Sequence, residues 1–108
     1  MPSYHQIIFC TFPDKEIAES IAHLLLNAHL AACINILPNI TSVYRWQDQI
    51  KSTQEYILII KARKSYYERI ETFLKNHHSY ELPEIIAVSI ENGLPEYLRW
   101  IDSCHFIK

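Results

Sequence analysis

LAACINILPNITSVYRW, Leu30–Trp46, is the stretch whose reading decides the fold. It holds two apolar, β-branched runs, Ala32–Leu37 and Ile40–Trp46, separated by Pro38-Asn39. Side chains alternate faces along a strand, so Ile34 and Ile36 point one way and Cys33, Asn35 and Leu37 the other. Both faces carry apolar groups, the pattern of a strand that packs on helices and also meets further protein. Pro38 has no N–H for a ladder hydrogen bond, and Asn39 tolerates a left-handed backbone. The stretch is therefore either one long strand bent at a bulge or two strands meeting at a corner. So long a strand in a chain of 108 residues suggests a partner subunit.

Upstream, Gln6–Thr11 (QIIFCT) reads as a short apolar strand. Pro13 suits a first helical turn, and Asp14 and Glu16 suit the positive end of a helix dipole. Ile17, Ile21, Leu24, Leu25 and Ala28 recur at spacings of three and four, which predicts an amphipathic helix to about His29. Downstream, Gln47–Gln54 (QDQIKSTQ) is polar and is expected to be a connection. Glu55–Arg63 (EYILIIKAR) is apolar on both faces, as in a central strand. Lys64–His78 predicts a second helix, with Ser65 and Glu68 in the capping-box pattern and an inner stripe of Tyr66, Ile70, Phe73 and His77. Glu84–Ile90 (EIIAVSI) is the next strand, Asn92-Gly93 a turn, and Pro95 opens a third helix with Leu94, Leu98 and Ile101 as its apolar stripe. The order βαββαβ plus a helix predicts an α+β, ferredoxin-like sandwich with two helices on one face of a single sheet. The length suits one domain over residues 1–108.

Composition narrows the function. Hydrophobic residues make up 49%, which argues against disorder, and a net charge of −2 argues against a nucleic-acid module. Ser20–Tyr44 contains no Asp, Glu, Lys or Arg and is long enough to span a bilayer. Its periodicity changes from helical to alternating partway, so it reads as a helix entering a strand of a soluble protein, with no membrane partner expected. The start, MPSYHQII, lacks the regions of a signal peptide. Three scattered cysteines, Cys10, Cys33 and Cys104, without a CxxC, fit reduced thiols and a cytoplasmic location. A single glycine, Gly93, excludes GxGxxG and P-loop phosphate cradles and the GxSxG nucleophile elbow.

Cys10-Thr11 with Pro13-Asp14, then Leu30-Ala31-Ala32-Cys33 with Asn35, and Thr41-Ser42 with Tyr44 and Trp46 form an ordered set. Lys61, His77-His78, Tyr80, Pro83-Glu84-Ile85-Ile86 and Tyr97-Leu98 with Trp100 extend it along nearly the whole chain. In order and spacing the set resembles the CutA divalent-cation-tolerance family. The resemblance implies a tight homotrimer of ferredoxin-like subunits, similar in architecture to the trimeric PII signalling proteins, and a link to copper tolerance. The chain departs from the family at Pro38-Asn39, where members often have Pro-Gly, and at His78-Ser79-Tyr80, where many have His-Pro-Tyr.

Two groups of residues could carry chemistry. Thiolate and imidazole together favour copper or zinc over magnesium or calcium. Some family members are assigned a copper site made from a cysteine at the end of the first strand and two adjacent histidines after the second helix. The resemblance thus implies Cys10, His77 and His78 as ligands for copper or another divalent cation. Neighbours on a helix point about 100° apart, so the pair could meet one ion only where the helix ends. On residue type alone, Cys10 equally suits a buried strand position and His77 a core histidine. The second group is Tyr44, Trp46, Lys61 and Glu84, which the resemblance places near a cleft between subunits. Aromatic walls, an ammonium and a carboxylate could hold a small anion or zwitterion there. Lys61 and Glu84 could instead be a structural ion pair. A formal Cys10–His77 nucleophile pair has no oxyanion site in view, so no enzymatic activity is expected. Ile57-Leu58-Ile59-Ile60 offers aliphatics where an RNA-recognition sheet needs stacking aromatics, so no nucleic-acid partner is expected.

Overall fold

The computed structural model describes residues 3–106. Strand β1 (His5–Phe12) leads through Asp14 into helix α1 (Lys15–Asn27). Asp14 caps the helix, its carboxylate accepting the Ile17 N–H at 2.9 Å, so Pro13 sits before the cap rather than in the first turn. The helix stops two residues before His29. There Leu30 N–H donates to Leu25 O (3.1 Å) and His29 N–H to Leu26 O (3.0 Å), and His29 is left-handed at φ 58°. This is a Schellman stop with histidine in the place glycine usually takes. The buried stripe of α1 is Ala18, Ile21, Ala22 and Leu25, whereas Leu24 and Ala28, expected in the stripe, face outward.

Strand β2 (Cys33–Trp46) is a single bent strand, which decides between the two readings of Leu30–Trp46. Its partner is β3 (Gln49–Arg63). Leu37 pairs with Ile57 but Ile40 pairs with Glu55, so β2 carries one extra residue at Pro38-Asn39, with Asn39 left-handed at φ 57°. That is a bulge. The polar segment Gln47–Gln54 is not a loop. Gln47 and Asp48 form a two-residue turn with φ of 50° and 64°, and Gln49–Gln54 belongs to β3. Positive φ at both turn positions matches the hairpin geometry usually supplied by Asn-Gly. This part of the ribbon runs beyond the helices and has no core to face, so its residues need not be apolar to be paired.

A short 3₁₀ turn, Lys64–Tyr66, precedes helix α2 (Tyr67–His77). The expected capping box is absent: Tyr66 occupies the cap and no side chain bonds there. Ile70 and Leu74 are the buried residues of α2, and His77 is exposed rather than part of the inner stripe. Strand β4 (Ile85–Ser89) and helix α3 (Pro95–Cys104) complete the chain. Gly93 is not left-handed; a Cβ there would meet Leu98 Cδ2 at 2.9 Å, so close approach is what glycine permits.

The sheet order is β2-β3-β1-β4, all antiparallel, the ferredoxin-like arrangement. Ile8, Cys10, Phe12, Leu58, Ile60 and Ala62 project from one face into a core with Ala18, Ile21 and Leu25 of α1 and Ile70 and Leu74 of α2. The other face presents Ile7, Phe9, Ile57 and Ile59 half-exposed, with Ile86 and Val88 about half uncovered at 54% and 49%. The β2–β3 ribbon stretches the molecule to 44 × 29 × 23 Å. Among the described residues no helix is long and apolar enough to cross a membrane; Ser20–Tyr44 is the end of α1 running into β2.

Candidate functional site

Cys10 lies on β1 between Leu58 and Ile85, faces the helices and has no exposed surface. Burial, with the charges of Glu84 and Glu55 adding to it, pushes its thiol up from 9.0 to about 12. The group is therefore S–H at neutral pH, whereas a metal ligand must be a thiolate.

Helix α2 ends at His77, and the two histidines separate there. His78 leaves the helix in extended geometry (φ −90°, ψ 142°) and reaches the end of β1. Its ring stacks on Phe12 with centroids 4.3 Å apart. Nδ1 accepts the Tyr80 N–H (3.1 Å), so Nε2 carries the proton and donates to Thr11 O at 2.6 Å. Both nitrogens are occupied. The His77 ring lies back along α2, stacked on Phe73 at 4.1 Å, with Nδ1–H donating to Phe73 O at 2.8 Å. That bond leaves its Nε2 lone pair open to solvent. Among the described residues, no three His, Cys, Asp or Glu side chains are grouped to hold a metal ion. Cys10, His77 and His78 thus share one end of the sheet without forming a ligand set.

Around that end lies a pair that sequence reasoning did not single out as a site. Glu55 is only 6% exposed and accepts the Tyr80 hydroxyl at 2.7 Å. Burial, the hydrogen bond and the charge of Glu55 all push the Tyr80 phenol up, with a smaller contribution from Tyr44. Glu55 opens an apolar run, and a carboxylate at the mouth of a buried strand was the available signal.

The four cleft residues are not gathered by one chain. Trp46 pairs with Gln49 at the ribbon tip, Tyr44 with Lys51, and Lys61 with Cys33 at the far end. At ~3.4 Å per residue, roughly 40 Å of ribbon separates Trp46 from Lys61. Lys61 is not the partner of Glu84: its ammonium donates to Asn35 Oδ1 at 2.7 Å and lies 3.9 Å from Cys33 Sγ. Because β3 runs without interruption, Tyr44 and Trp46 share one ribbon face with Asn35 and Lys61.

Residues 6–104 match the family described as CutA1 divalent ion tolerance protein. The chain belongs to the CutA1 family. Its CutA relatives include the divalent-cation tolerance protein of Thermus thermophilus, 38% identical over 96 residues, which cover 89% of this chain and 93% of that one. Protein CutA of Mus musculus is 36% identical over 94% of this chain, which spans only 57% of the mouse protein. Among solved CutA structures, that of CutA from Xylella fastidiosa superposes with a TM-score of 0.93 at 44% identity, covering 96% of this chain and all of that one. The CutA1 structure from Ehrlichia chaffeensis gives 0.91 at 30% identity, over 99% and 100% of the two chains. The CutA1 fold thus accounts for the bent β2, the extended ribbon and the third helix together.

Proposed function

We propose that the chain is a non-catalytic homotrimer of the cytoplasm that binds divalent cations, copper first among them, and contributes to tolerance of those ions. The observation that carries this reading is the family match over residues 6–104, whose bacterial relatives are named divalent-cation tolerance proteins. The trimer is supported by the uncovered apolar sheet face and by the long ribbon, both of which a second and third copy would cover. Cys10, Cys33 and Cys104 are free thiols, in keeping with a reducing compartment.

Soft donors favour copper. His77 is ready, with Nε2 open; Cys10 must first lose its proton, and His78 must give up Thr11 O or the Tyr80 N–H. Copper titration of tag-free protein tests the ligand set. The wild type should bind and release protons as it does so, and the Cys10→Ala, His77→Ala, His78→Ala variant should bind at least tenfold more weakly. Equal binding by the two proteins would reject these ligands. The His77→Ala variant, altered only at an exposed side chain, separates loss of a ligand from loss of packing.

A second reading is a PII-like module that takes a small molecule between subunits. The separation of Trp46 and Lys61 along one ribbon favours it, because only neighbouring copies would bring such residues to one cleft. Thermal stabilisation by a small anion or zwitterion, abolished in Trp46→Ala, would support this reading; no stabilised ligand in a broad metabolite screen would count against it.

A further inference from the structure

At the opposite end of β1 a second polar cluster fastens α3. His105, which caps that helix, is 5% exposed. Its Nε2 accepts the backbone N–H of Arg63 at 3.1 Å. A backbone amide only donates, so Nε2 is bare and the proton is on Nδ1, which donates to His29 O at 2.9 Å. The Tyr66 ring stacks on the imidazole at 3.8 Å, and the Arg69 guanidinium lies 4.1 Å from the Tyr66 ring centre. One turn earlier, Asp102 Oδ1 accepts from His5 Nε2 (2.7 Å) and from Arg63 Nη1 (2.8 Å). His29 Nδ1–H donates to Cys104 O at 3.1 Å. The last turn of α3 is thereby bound to the start of β1, the end of β3 and the turn after α1.

We propose that His105 is a proton-operated latch: a second proton converts its Nε2 from acceptor to donor, sets it against the Arg63 N–H, and frees the C-terminal end of α3. The charged ring would have no acceptor at Nε2 and would lie among Arg63 and Arg69. The nearby carboxylate, Asp102, is already engaged by His5 and Arg63. His5 donates from Nε2 whether or not it carries a second proton, so that bond survives acidification. Tyr66 stacks on the ring and His29 offers it only a carbonyl, so neither supplies a further anion.

Titration follows the same direction. Burial lowers the His105 pKa below 6.5; the His29 carbonyl and Asp102 oppose this, and Arg63 and Arg69 add to it. A histidine whose folded value is depressed contributes stability that is present above about 6.5 and is lost as pH falls below it. Release would also uncover Ile101, the fully buried anchor of α3.

Hydrogen exchange of the intact, assembled protein, corrected for intrinsic rates, tests the latch at pH 7.5 and 5.5. Backbone amides of the last turns of α3 should lose protection at least tenfold at the lower pH relative to β1 and β3. The imidazole ¹⁵N spectrum at pH 7.5 should show His105 protonated on Nδ1. In His105→Gln, α3 protection should be the same at both pH values, whatever its absolute level. Unchanged wild-type protection of α3, or an equal pH-dependent loss in His105→Gln, would overturn the proposal. So would an Nε2-protonated His105 at pH 7.5.

Discussion

Cys10 and His78 sit within one short neighbourhood and both are committed to the fold. The Cys10 thiol is enclosed, and its pKa is raised from 9.0 to about 12. A group whose folded pKa lies above its unfolded value adds stability that is whole below about 9 and disappears as pH rises towards 12. Alkaline urea titrations should therefore show wild type losing stability faster than Cys10→Ala between those limits. In a mass-spectrometric labelling experiment at pH 8, half-exposed Cys33 and Cys104 should react with iodoacetamide, while Cys10 should react only after denaturant is added. His78→Ala removes a ring stack and leaves Thr11 O with no imidazole partner. It should cost about 1–3 kcal/mol in chemical unfolding, whatever metal does. The spelling His77-His78 made a ligand pair legible. What it hid is that helix α2 ends between them, so that each ring finds a private partner.

The elements follow the alternation of apolar residues wherever there is a core to alternate against. Ile34 and Ile36 of β2 and Leu58 and Ile60 of β3 are packed as their spacing requires. The distal ribbon escaped the same reasoning, since QIKSTQ, Gln49–Gln54, is paired backbone without a buried face. The helix ends show both outcomes. Asp14 lies at the positive end of α1 as expected, but as its cap rather than inside its first turn, and Asp14→Ala should lower stability by about 1 kcal/mol in urea titration. Ser65 resembled a cap equally well, but a 3₁₀ turn intervenes and places Tyr66 there. At the ribbon tip, Asp48 holds φ 64° without glycine. Asp48→Gly should relieve this and raise the unfolding midpoint, by an amount equivalent to about 0.5–1 kcal/mol.

For the whole molecule, the open sheet face is the decisive feature. Ile59 lies in its middle, opposite Phe9 and Asn35. An Ile59→Lys substitution would place an ammonium where another copy is expected to pack. Analytical ultracentrifugation should find a trimer in wild type and a folded, smaller species in the variant; a monomeric wild type would remove the basis for shared clefts. The order of elements along the chain and the helix-covered face were legible because each rests on local periodicity. A cleft between copies, as proposed, has no such local signal, because Trp46 and Lys61 lie at opposite ends of one ribbon and no single-chain pattern encodes where a neighbour's residues arrive.

The surplus residue at Pro38-Asn39 has a bearing on how this arm can vary. It acts as a parity change: ahead of it the even-numbered positions of β2 look towards the helices, and past it they look away. Tyr44 and Trp46 owe their side of the arm to that one unit of length. Pairing Asn39 into the ladder instead of bulging it out would send both rings to the reverse surface while leaving their chemistry untouched. Lengthening or shortening of the arm is therefore compatible with an unaltered outer surface only in steps of two residues per strand.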